Sequence, residues 1–251
     1  MVRLTFLNYD EKYDLKEKRT VISFSLYGNV NKYVGGLLEN CRIINRVFPT
    51  FWIYVYIGND FNHSIFGDKF SAINNIYFIY TNLAGHINAS ARFTTIDRAE
   101  VSLAFSRDCD SRINTRDICC ITKFIYSDKK FQIIRDHPQH NAKIMAGMWG
   151  IKKGLLNKNV SELLSDFRDK MKNTISFGDD QLFLDKYIYP RVLTNSLVFS
   201  GYFKRQFVYE NPIDIEVQEE FVYGYRDHIG FIHVPVDLSN PFDNFKPGDD
   251  V

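Results

Sequence analysis

The stretch Val101-Ser-Leu-Ala-Phe-Ser-Arg-Asp-Cys-Asp-Ser-Arg112 turns from apolar to charged at one point. Val101 to Phe105 is the kind of apolar run that forms a buried strand. It leads into Asp108 and Asp110, two carboxylates spaced one residue apart. Past a strand end the chain leaves the extended state, so the pair need not obey the strict alternation of faces. Both can then converge on one hard divalent cation, with coordination positions left for phosphate oxygens. The carboxyl end of a central strand is also where an α/β sheet places its ligand. A lone D-x-D is unspecific, and a polar turn capping the strand is its plain alternative. An EF-hand loop is excluded, because Arg112 and Ile113 stand where an oxygen ligand and a glycine are needed.

Upstream, Val21 to Tyr27 reads as a first strand, broken by Gly28-Asn29. From Asn31 the period changes. Val34, Leu37, Leu38, Cys41, Ile44, Val47 and Phe48 follow the three/four spacing of a helix face that Pro49 ends. Phe51 to Ile57 is a second strand, a short helical segment spans Ser64 to Ala72, and Ile76 to Tyr80 is a third strand. A helix near Ala91 to Ala99 then precedes the strand that carries D-x-D. Strand-helix-strand with short connections predicts parallel crossovers and a doubly wound sheet. The strand ends facing the ligand are then Ser25–Tyr27 and Arg107–Asp110. Neither a dinucleotide fingerprint nor a P-loop lysine follows the first strand. A nucleotide would instead meet backbone groups of Ser25, Leu26 and Tyr27.

Downstream, Asn114 reads as a helix cap with Asp117 in the first turn and Ile118, Ile121, Phe124 and Ile125 on the apolar face. Phe131 to Ile134 is a strand running into Arg135-Asp-His-Pro-Gln-His140. The glycines of Gly147-Met-Trp-Gly150 predict a close approach of backbone to ligand or neighbour. Asn159 caps a helix with Leu163, Leu164, Phe167 and Met171 inward. Gly178-Asp-Asp-Gln181 opens another, which stops by Pro190. The tail from Asn211 is strand- and turn-like, with a polar end. No linker or repeat is evident, so one domain over 1–251, with its core at about 20–235, is the simplest account.

A net charge of +1 argues against a nucleic-acid binder. The 22 Phe and 15 Tyr suit a well-filled core or a sugar-stacking surface. Four cysteines without C-x-x-C spacing point to a reducing compartment and not to zinc. No secretory signal or membrane-length apolar stretch is visible, and the expectation is a soluble, cytoplasmic protein.

Taken in order, Arg107-Asp-Cys-Asp-Ser-Arg112, Arg135-Asp-His-Pro-Gln-His140, Ala146-Gly-Met-Trp-Gly150 and Gly178-Asp-Asp-Gln-Leu-Phe183 resemble the motifs of GT-A-type glycosyltransferases, most closely those of bacteria and large DNA viruses. The resemblance spans roughly residues 20–235. It implies a GT-A fold, a Rossmann-like, mostly parallel central sheet flanked by helices with a small antiparallel portion near the C-terminal part. It implies transfer of a sugar from a nucleotide-diphosphate donor, by default a UDP-sugar, to a glycan or other hydroxyl acceptor. The diphosphate would be held through Mn²⁺ or Mg²⁺ on Asp110 and Asp108, a metal acting as Lewis acid for the leaving group. His228 is the candidate for a late histidine in the metal shell, although its spacing departs from the commoner H-x-x-G form.

Ser25, Leu26, Tyr27 and Cys109 would lie beside the donor. Arg92 and Arg107 would pair with donor phosphate or sugar oxygens, an ion pair within the fold being the alternative for each. Asp136, His137 and His140 would line the sugar or acceptor side, or merely shape a turn. Gly147, Met148 and Trp149 would border the sugar, Trp149 by stacking unless it fills the core. Asp180 and Gln181, with Asp179, resemble the late Asp-Gln motif of retaining enzymes. An inverting enzyme would need Asp179 or Asp180 as general base, and an acidic helix N-terminus explains the pair without catalysis. The rival functions are a non-catalytic carbohydrate- or nucleotide-binding module on a degenerate scaffold and a sugar-phosphate nucleotidyltransferase.

Overall fold

The structure, a computed structural model, describes residues 6–7, 18–28, 31–62, 64, 66, 68–171, 176–201, 207, 210–215 and 227–231. Asn29 of the first turn and most of the tail from Asn211 lie outside them. Among the described residues, eight strands form one sheet: β1 Phe6–Leu7, β2 Arg19–Leu26, β3 Trp52–Ile57, β4 Ile76–Thr81, β5 Val101–Ser106, β6 Phe131–Arg135, β7 Trp149–Lys152 and β8 Ser196–Ser200. Their spatial order is β1-β4-β3-β2-β5-β7-β6-β8.

The pairs β2–β3, β3–β4, β2–β5 and β6–β8 are parallel. Strand β7 runs against both β5 and β6, and β1 runs against β4. The sheet is therefore doubly wound and mostly parallel, with an antiparallel portion, as expected. From β2 the chain builds outward through β3 and β4, then returns to place β5 on the other side of β2. That reversal is a topological switch point, and it opens a crevice at the carboxyl ends of β2 and β5.

Helix α1 (Asn31–Val47) and helix α3 (Thr115–Tyr126) pack one face of the sheet. The other face carries α2 (His86–Ala89), a 3-10 run (Ser90–Asp97), α4 (Val160–Lys170), α5 (Asp179–Phe183), a π-helical turn (Leu184–Ile188) and α6 (Tyr189–Val192). Alternation along β2 sends Val21 to the second layer and Ile22 and Phe24 to the first.

The expected caps form where side chain and backbone are close in sequence. Asn114 accepts from the Asp117 amide at 3.0 Å, and the Asn159 amide donates to Glu162 at 2.9 Å. A cap from elsewhere joins them, since the Asp97 carboxylate accepts from the amides of Val160 and Ser161 at 2.9 and 2.8 Å. Three sequence expectations are corrected. The helix placed at Ala91–Ala99 begins earlier, at His86, and continues as a 3-10 run to Asp97. The segment Ser64–Ala72 is turns where it is described. Strand β8 had no counterpart in the sequence reading. Its partly buried first residues blur the apolar signal, and its parallel pairing with β6 is wholly long-range.

Candidate functional site

A cavity of about 740 Å³ opens at the switch point, bordered by Ser25, Tyr27, Arg92 and the Asp108–Asp110 loop. The loop is docked on α1 by three residues of that helix. Gly36 lies so close to the Cys109 carbonyl and the Arg112 guanidinium that a Cβ there would collide with both. Asn40 accepts from the Ile113 amide at 3.0 Å and donates to the Ser111 carbonyl at 2.9 Å. Glu39 pairs with Arg112 at 2.5 Å. A glycine and two polar residues inside an apolar helix pattern were the available sequence signal, and it went unread.

Asp108 projects into the cavity with its side chain 41% exposed and pairs with Arg92 at 2.6 Å. Arg92 is buried and also donates to the Arg107 carbonyl at 3.0 Å. Its Nε is buried without a hydrogen-bond partner. Burial works against the Arg92 charge, but Asp108 and Asp180 beside it more than offset this and keep it cationic. Asp180 borders the same cavity. Burial pushes its carboxyl upward, opposed by Arg92. Tyr27 is pushed up to about 12 by burial, so its phenol stays protonated.

Gln181 accepts from the Ala146 amide at 2.8 Å and donates to the Ile144 carbonyl. Its amide thus staples α5 to the loop that carries Gly147. That glycine abuts the Asp108 carboxylate with no room for a Cβ, while Gly150 abuts Phe105. The close approaches expected of these glycines are both to neighbouring protein groups.

Thirteen of the sequence-selected residues border the cavity: Ser25, Tyr27, Arg92, Asp108, Cys109, Asp110, His137, His140, Gly147, Met148, Asp180, Gln181 and His228. Five do not. Leu26 is core, 1% exposed. Arg107 is buried in a two-point ion pair with Asp117, at 2.8 and 2.7 Å. Its remaining donors serve the carbonyls of Ser106 and Trp149, so it holds β5 to α3 and β7 and does not face the cavity. Trp149 is packed between Phe93 and Phe131 and fills the core. Asp136 is tied to Arg116 and to the Ile229 amide at 2.9 Å. Asp179 turns back to the loop before its helix, accepting from the Ser176 amide at 2.6 Å.

The sequence reading missed His86 and Phe177, which with Tyr27 form an edge-to-face aromatic row at the rim. It also missed Tyr33, Gln139, Met145 and Phe231 in the lining.

His228 is grouped with histidines and not with the carboxylates. Among the described residues, His137, His140 and His228 form a set of three whose ligand atoms lie within 4.8 Å of one another, and neither Asp108 nor Asp110 belongs to it. Asp136 and Asn114 position this late segment, the latter by donating to the Asp227 carbonyl at 2.6 Å.

No family model matches the sequence, and no curated protein matches it either. Solved structures do. One is 4-diphosphocytidyl-2C-methyl-D-erythritol synthase from Anaerococcus prevotii, at 12% identity and TM-score 0.48, covering 75% of this chain and 89% of that one. The galactosyltransferase LgtC shares 13% identity at TM-score 0.48, covering 73% and 74%. A glycosyltransferase involved in glycosylation of the major capsid of PBCV-1 shares 15% identity at TM-score 0.47, covering 73% and 82%. Glycosyltransferases are thus among the solved structures the chain resembles. Likeness this distant is too weak to carry an activity, which has to come from the residues at the cavity. Among the described residues, no helix is long and apolar enough to cross a membrane.

Proposed function

We propose that the chain is a metal-dependent glycosyltransferase that moves a sugar from a nucleotide-diphosphate donor, by default a UDP-sugar, to a hydroxyl acceptor. One observation carries this reading: Asp108, Asp110, a buried Arg92 and Asp180 border a single cavity at the switch point. Two carboxylates on one loop suit Mn²⁺ or Mg²⁺, which take oxygen ligands and retain positions for phosphate oxygens and water. When bound, the metal would supply Lewis-acid stabilisation of the leaving diphosphate.

The chain's own residues account for the rest. Arg92 is held charged in a buried setting, and its unpartnered Nε suits a phosphate or sugar oxygen. Ser25 and Tyr27, with the row His86–Phe177, border the side where a nucleoside would stack. In the transfer, the bond between the anomeric carbon and the diphosphate oxygen breaks and the acceptor oxygen bonds to that carbon. The acceptor proton passes to the departing phosphate oxygen. Asp180 borders the same cavity, and its carboxylate would stabilise positive charge developing on the sugar ring. Gln181 acts by holding α5 against the Ile144–Ala146 backbone. The transfer is read as retaining, from the likeness of Gly178-Asp-Asp-Gln181 to the late Asp-Gln motif of retaining enzymes.

The test is a thermal-shift panel of UDP-, GDP- and dTDP-sugars with and without Mn²⁺, followed by NMR of the product's anomeric proton. At about a hundred times Kd, binding adds roughly 2.7 kcal/mol, a shift of about 2–4 °C at this size. Stabilisation by one nucleotide class that needs Mn²⁺, vanishes in Asp110→Ala and accompanies sugar transfer is expected. Stabilisation with no release of nucleoside diphosphate under any acceptor would favour a binding module instead.

A further inference from the structure

We propose that Arg168 is the core of a chloride site at the junction of α2, α4 and α5, beside the main cavity. The site is independent of the glycosyltransferase reading, which makes no use of Arg168.

Arg168 stands in the last turn of α4 and is buried, 5% exposed. A buried guanidinium ordinarily meets a carboxylate, because an unpaired charge in the interior is costly. Four others in this chain follow that rule. Arg92 pairs with Asp108, Arg107 with Asp117, Arg112 with Glu39 and Arg135 with Glu210. Arg168 does not. Among the described residues it makes two hydrogen bonds, both from Nη2, to the Ile87 carbonyl at 3.3 Å and the Ser90 hydroxyl at 3.0 Å. Both acceptors are neutral, and the donors on Nε and Nη1 remain for another partner. Burial alone acts on the Arg168 charge, and it works against it.

Arg168 borders a second, small cavity of about 10 Å³, walled by Ile87, Ser90, Leu164 and Phe167 and touching Asp179 and Asp180. That is room for about one water molecule, so the space suits a monatomic ion and is too small for a phosphate group. A water there would leave the guanidinium uncompensated. A chloride supplies the missing negative charge and can accept from Nε and Nη1. The two carboxylates do not fill that role. Asp179 accepts from the Ser176 amide at 2.6 Å and Asp180 from the Gln181 amide at 2.8 Å. The charged side chains that act on Asp180 are Arg92 and Asp108, on the side of the main cavity. An ion held by Arg168 would tie α4 to α2 and to the first turn of α5, which carries Asp180 and Gln181.

The test needs no sugar transfer, so its failure and that of the glycosyltransferase reading are distinguishable. Sodium chloride replaces sodium gluconate stepwise at constant ionic strength in a solution of the full chain, followed by chlorine NMR line width and by thermal melts. The wild type should broaden the chloride line and gain about 2 °C or more in Tm at saturation. Arg168→Met, which keeps a long side chain and removes the charge, should lose both effects. A wild-type Tm and line width that ignore chloride would overturn the proposal in favour of a water in the cavity. Broadening and stabilisation that persist in Arg168→Met would overturn it too, and would mean an adventitious ion only. Should the variant fail to fold, bromide takes its place as the probe. A wild-type crystal soaked in bromide is expected to show anomalous scattering beside the Arg168 guanidinium, and no such peak there would sink the proposal.

Discussion

At the scale of single residues, the site depends on atoms that have no room to move. Gly147 abuts the Asp108 carboxylate, so Gly147→Ala should turn that carboxylate away from the cavity. The expected result is a Mn²⁺-dependent nucleotide affinity reduced at least 10-fold, measured by calorimetry, with a Tm close to wild type. His140 carries a different prediction. Burial, reinforced by His228 and His137, pulls it down to about 4 from an ordinary 6.5. The unfolded chain therefore binds the His140 proton first as pH falls, while the folded chain excludes it. Stability from this group is complete above about 6.5 and declines as pH drops toward 4. Thermal melts across that window should show a smaller loss of Tm in His140→Gln than in wild type. The sequence exposed this residue as a histidine two positions past a proline, but its protonation is set by packing that no local signal records.

At the scale of elements, α1 does more than cover the sheet. A glycine inside a helix ordinarily costs about 1 kcal/mol relative to alanine, so propensity alone says that Gly36→Ala stabilises. The structure reverses the sign, because the new Cβ would strike the Cys109 carbonyl and Arg112. Urea unfolding should show a loss of at least about 1 kcal/mol, in the range of an overpacked core site, together with a weakened metal-dependent nucleotide shift. Helix α3 gives the parallel case. Asn114→Ala removes the cap and should cost about 1 kcal/mol. It also frees the Asp227 carbonyl that the Asn114 side-chain amide holds at 2.6 Å, so hydrogen exchange in the Asp227–Phe231 segment should quicken with it.

At the scale of the whole molecule, one reversal of winding direction creates the cavity, and buried ion pairs fasten the elements around it. Arg107 and Asp117 are 2% and 1% exposed, so each is intolerable without the other. Asp117→Ala should cost about 3–5 kcal/mol by leaving a buried cation unpaired, visible as a large fall in the urea midpoint. A matching expectation concerns hydrogen exchange. Nucleotide with Mn²⁺ should slow exchange at the carboxyl ends of β2 and β5 and in the Ile144–Met148 loop. The amino ends of the same strands, at Arg19–Val21 and Val101–Leu103, should be unchanged. Uniform protection along the strands would mean that ligand acts on global stability and not at the switch point.

By itself the sequence determined what depends on near neighbours: the period of α1, the apolar runs of β2 to β6, the Asn114 cap, and the carboxylate pair after β5. These are set by periodicity and by groups a few residues apart. Tertiary structure alone decided the remainder. It placed β7 against β5 and β8 beside β6, turned Arg92 toward the cavity and Arg107 away from it, buried Trp149 between two phenylalanines, and brought His228 to His137 and His140. The reason is physical. Sheet order and side-chain partners are settled by contacts between segments far apart in the chain, and two arginines fifteen positions apart look alike until the fold pairs one with the buried Asp117 and the other with Asp108 at the cavity.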